Sequence, residues 1–164
     1  MADNVPLITL LERRKGFIMR TVATFESQSF NLTEDKEYLK NEGCFGDDLG
    51  RWLIERLRAT GAEAEAEPGQ EDFGWYVNFS VRGQPFCAVI GNVGGEFWFV
   101  AVERVVGFLN SISGGRNRNV PAEGVQLIHR VLSSASEVRN LQWHEWSRFR
   151  KGGADAFAQG TPAP

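Results

Sequence analysis

The chain has 164 residues, of which 44 are Leu, Ile, Val or Phe, enough apolar surface for a folded core and against disorder of the bulk. Eighteen Lys/Arg against 21 Asp/Glu leave a net charge of −3, a poor balance for nonspecific binding to nucleic-acid phosphates. No apolar run reaches the roughly 18 residues of a membrane span, and Cys44 and Cys87 are too few for a disulfide framework or a zinc site, so a reducing, cytoplasmic setting without metal or cofactor is expected.

The opening stretch Val5 to Arg14 has helical spacing, interrupted by Gly16. From Phe17 the period changes to two, and a strand is expected over 17–27, with Arg20, Thr24 and Glu26 on one of its faces. Met19 offers a second start, in which case residues 1–16 are an upstream extension. Residues 31–46 read as a polar surface connection. A helix is expected over 47–60: Asp47 as cap, Leu49, Trp52, Leu53 and Leu57 on one face, Gly61 as stop.

Ala62 to Glu67 alternates as an edge strand and is closed by Pro68-Gly69. Over 73–82, Phe73, Trp75, Val77, Phe79 and Val81 share one face, and Gly74, Tyr76, Asn78, Ser80 and Arg82 the other. A turn at Arg82-Gly83 leads to a strand over 86–90, then the glycine-rich turn 91–95, then a strand over 96–106 that is apolar on both faces. After a loop, a helix is expected over 121–138, then a helical turn or two after Asn140. Residues 152–164 are small, Gly/Pro-rich and read as a disordered tail, leaving 1–151 as a single domain.

Three middle strands with no helix between them exclude a parallel doubly wound sheet. The expectation is α+β: an antiparallel sheet of four or five strands with two main helices on one face. The order helix, three strands, helix is shared with double-stranded-RNA-binding domains, but the last helix opens on Pro121-Ala122-Glu123-Gly124 and lacks the lysines that would meet phosphates. The stretches CFGDDLGRWLIERL (44–57) and PGQEDFGWYV (68–77) resemble a family of small uncharacterised bacterial α+β proteins; that resemblance implies a bacterial single-domain protein and carries no activity.

No motif names a reaction, so the chain is read as a binding protein before an enzyme. Glu71-Asp72 point to opposite faces of a strand and form no dyad, and His129 and His144 stand apart in sequence from Cys44 and Cys87. Cys87, mid-strand, reads as a small core residue. The preferred site is the second sheet face: Tyr76, Asn78 and Arg82 with Arg20 and Trp98, aromatic bodies and polar tips suited to a protein partner or to self-association as a homodimer. The alternative is a small or phosphate-bearing ligand held by the loop Gly114-Gly115-Arg116-Asn117-Arg118-Asn119 ahead of the last helix. Charge is also divided along the chain, acidic through residue 103 and basic from 104 to 151, which suits a charged partner.

Overall fold

A computed structural model describes residues 18–72, 74–105, 118–152 and 160–164. Among them the chain runs β1 (Val22–Glu26), α1 (Asp47–Ala59), β2 (Glu63–Ala64), β3 (Gly69–Glu71), β4 (Gly74–Val81), β5 (Gln84–Gly94), β6 (Phe97–Arg104), α2 (Ala122–Ser133), β7 (Arg139–His144) and α3 (Trp146–Gly152). All strand pairs are antiparallel, in the order β2-β4-β5-β6-β1-β7, with β3 also pairing β4. The fold is α+β as expected, with seven strands rather than four or five and three helices rather than two.

Register assigns the faces. Trp75, Ile90, Val100, Ala23 and Trp143 stand opposite one another across β4, β5, β6, β1 and β7, and all belong to the buried core. α1 and α2 close over this face. Leu49, Leu53 and Leu57 of α1, spaced by four, and Val125, Ile128 and Leu132 of α2 enter the same cluster. One position along, Tyr76, Val89, Ala101, Val22 and His144 form the matching row on the second face.

α1 ends as its sequence indicates. Gly61 takes φ +87° just past the cap; its N–H bonds Arg58 O and the next N–H, from Ala62, reaches back to Leu57 O, satisfying carbonyls the helix would leave open. Asp47 does something other than cap. The N-cap position is Gly46, and Asp47 lies 1% exposed, where Tyr38 Oη, Lys36 Nζ (3.0 Å) and Arg51 Nη1 (2.9 Å) all donate to its Oδ2. Burial pushes this carboxyl up, but the three donors outweigh it and hold it below the ordinary carboxylate range. The polar connection 31–46 is thereby fastened to α1, and Trp75 Nε1 donates to Cys44 O (2.8 Å) to fasten it to β4.

Gly124 lets α2 approach the sheet, since a Cβ there would run into the buried ring of Phe86. Alanine is worth about 1 kcal/mol over glycine in a helix, whereas overpacking a core costs typically about 1–3 kcal/mol. Gly124→Ala is therefore expected to lower stability by about 1 kcal/mol in urea unfolding, and a variant more stable than the parent would show that α2 can step back freely.

Four expectations are corrected. The first strand begins at Val22 rather than 17. The segment after Asn140 is strand β7 before it becomes helix α3, because Leu141 and Trp143 alternate inward with Asn140, Gln142 and His144 outward. α2 stops at Ser133 instead of 138: Ser133 and Ser134 turn their hydroxyls back onto Arg130 O and Val131 O. The end of the chain is not free, since Thr161 forms a two-hydrogen-bond antiparallel bridge with Trp143 on the outer edge of β7. The helix expected at Val5 to Arg14 lies outside the described residues.

Candidate functional site

The second face divides into a covered half and an open half. Over β6, β1 and β7 it is covered by α3, whose Phe149 ring lies 5.5 Å from Phe99 and 6.0 Å from His144, centroid to centroid. Beneath it Val22, Thr24, Ala101 and His144 are buried, and Thr24 Oγ1 and His144 Nε2 share a 2.7 Å hydrogen bond. Burial, with the charge of Arg20, pushes His144 below the ordinary imidazole range and favours its neutral form. His144 is thus packed against an aromatic ring, Phe149.

Over β4 and β5 the face stays partly open. Tyr76, Asn78, Cys87 and Val89 are half-buried, and Phe97 at the start of β6 is 43% exposed. Cys87, expected in the core, points instead to this side, opposite Asn78 and Glu103. Tyr76 faces Gly69 across the β3–β4 pair, and its ring occupies the space a Cβ at Gly69 would need. Phe99 sits over Gly91 of β5 in the same way. Two aromatic rings are thus laid down on neighbouring glycines instead of standing off the sheet, which gives a low, apolar shelf.

The rim of the open half is acidic. Glu65 Oε1 accepts from Asn78 Nδ2 (2.9 Å) and Glu63 Oε2 accepts from Ser80 Oγ (3.1 Å). Both carboxylates come from the short edge strand and its continuation, so β2 brings negative charge to a face whose own strand, β4, supplies none.

The residues expected to form one site are only partly together. Tyr76 and Asn78 share the open half. Arg20 leads into β1, three strand spacings from β4, or roughly 14 Å away. Trp98 belongs to the opposite face: it is 0% exposed, donates through Nε1 to Ser27 O (3.2 Å) and meets Phe30 edge-on. Arg82 sits at the β4–β5 turn and lines a cleft on the helix side, with the end of α1 and Glu123 to Arg130 of α2. The alternative loop is described only from Arg118, which is exposed; Gly114, Gly115 and Arg116 lie outside the described residues. Residues that sequence reasoning passed over are Gly69, whose partner across the sheet could not be read from spacing, and Val89 and Glu65.

No group of three or more metal-ligating side chains occurs among the described residues, nor a helix long and apolar enough to cross a membrane. Compared with known protein families, curated proteins and solved structures, the chain matches none.

Proposed function

We propose that this chain is a protein-binding module that docks its partner on the open half of the second sheet face. The observation that supports the reading is the Tyr76 ring laid over Gly69: a half-buried aromatic shelf beside Val89, edged by Glu63 and Glu65. Such a surface fits a partner that presents an aliphatic or aromatic anchor flanked by Lys or Arg, the anchor excluding water over the ring and the cations meeting the glutamates. Loss of such an aromatic anchor typically costs at least about 2 kcal/mol, roughly thirtyfold in affinity.

Capture from native lysate, read by quantitative mass spectrometry, is run with the wild-type chain, Tyr76→Ala and Gly69→Val. The partner bound by wild type is expected to fall roughly thirtyfold on Tyr76→Ala, and to fall on Gly69→Val because the added side chain lifts the ring. Light scattering of the wild type identifies self-association as the case in which the partner is a second copy. A partner set that is the same on all three chains would remove the reading.

A further inference from the structure

We infer that the cleft between the end of α1, the β4–β5 turn and α2 binds a small carboxylate-bearing molecule. The cleft has a volume of about 370 Å³, within the roughly 300–1,000 Å³ of small-ligand sites. It lies on the helix side of the sheet, away from Tyr76, and stands independently of the partner surface.

Three features converge there. Val81 and Leu127 give it an apolar floor, and Glu123, Gln126, Leu127 and Arg130 line it as one stripe of α2, spaced three, four and seven residues apart. Arg82 and Arg130 both line it, yet neither takes part in an ion pair among the described residues; Glu123, on the same rim, takes part in none either. Most other described arginines are engaged: Arg51, Arg56, Arg139 and Arg148 with carboxylates, Arg58 with the Ala64 and Glu65 carbonyls.

The third feature is the backbone at Arg82. The β4–β5 hairpin turns in two residues, Arg82 at φ +51° and Gly83 at φ +79°, a geometry that Asn-Gly or Gly-Gly adopts with less strain than arginine does. An arginine kept in a left-handed position places a long cation at the mouth of the cleft at a conformational cost to the turn.

The charge count selects the ligand class. Two guanidiniums and one carboxylate leave one positive charge, matched by a monoanion. A guanidinium fork takes both oxygens of a carboxylate, and Glu123 disfavours the second charge of a phosphate monoester. Gln126 is placed for a further polar group, and the apolar floor for a hydrocarbon or aromatic body.

The test is a titration of the isotope-labelled full chain with benzoate, and in parallel with inorganic phosphate, read at the backbone amides of Gly61, Gly83 and Gln126. Saturable shifts with benzoate are expected, with affinity weakened about tenfold or more in Arg82→Asn and in Arg130→Gln, the loss of one charge-assisted pair. Arg82→Asn suits the left-handed turn, so its melting temperature is expected to hold or rise, separating lost binding from lost fold; should it fall, the exposed helix position of Arg130→Gln decides. Absence of saturable shifts, affinity unchanged in Arg130→Gln, or phosphate binding tighter than benzoate would each overturn the assignment.

Discussion

Replacing Asp47 with alanine lowers the free energy of unfolding at neutral pH by about 2–3 kcal/mol, more than any other change to a polar side chain described above. The carboxylate is buried and receives Tyr38, Lys36 and Arg51 on one oxygen, so its removal leaves three donors without their shared acceptor and leaves the bond from Asn31 N–H to Asp48 Oδ2 (2.6 Å) to hold residues 31–46 to α1. Severing a buried pair typically costs about 3–5 kcal/mol. Two differences reduce that figure here. Lys36 and Arg51 are 30% and 45% exposed and can rehydrate, and Asp47 Oδ1 is buried without a hydrogen-bond partner, so the native carboxylate already carries part of its desolvation cost.

The pH dependence has a definite sign. The folded carboxyl titrates below its ordinary value of 3.8, so its contribution is complete above that value and is lost as pH falls through the lower folded pKa. The gap between wild type and Asp47→Ala in urea unfolding is therefore expected to be full at neutral pH and to shrink as the pH falls below 3.8 through the lower folded pKa. A gap under about 1 kcal/mol at neutral pH, the scale of an exposed ion pair, would mean that the cluster is ornamental to stability.

Trp98→Ala is expected to have the largest effect of all, about 4 kcal/mol. The side chain is wholly buried, opposite Phe25 across the β1–β6 pair and edge-on to Phe30, and its indole N–H satisfies Ser27 O, so truncation leaves both a cavity and an orphaned carbonyl. For a domain of this length that corresponds to a melting temperature lower by about 10 °C. Calorimetry checks it. A drop of only two or three degrees would place Trp98 nearer the surface and restore it as a recognition residue.

Trp98 also shows where sequence patterning loses its power. In β4 the alternation of Trp75, Val77 and Phe79 with Tyr76, Asn78 and Ser80 announces both faces, and the structure has them as read. β6 reads Phe-Trp-Phe-Val-Ala-Val, apolar at both parities, so nothing in it says which residues turn inward. That choice is made by pairing: the unbroken register that sets Ile90 opposite Val100 also sets Asn92 opposite Trp98, two residues along on the same face, and so turns the tryptophan toward the helices. β7 failed differently. Its alternation was present, but six residues running directly into the helix-forming Trp146–Gly152 offered a competing period. The shelf itself was half legible: Tyr76 and Asn78 were expected on the second face, whereas Gly69 and Glu65 reach it only through pairing that no local pattern encodes.

The two ends of the sheet bear on how any partner can arrive. Among the described residues, the sheet continues beyond β4 as β2 and β3, of two and three residues, with Pro68 between them lacking an N–H to offer. At the other end Thr161 pairs with Trp143, the last residue but one of β7. Among the described residues, neither border presents a long ladder of open amides and carbonyls that a foreign chain could zip onto, which guards against templated aggregation. A partner bound as proposed would then meet the broad surface of the sheet, where side chains decide the match, and not its margin, where any extended backbone would do.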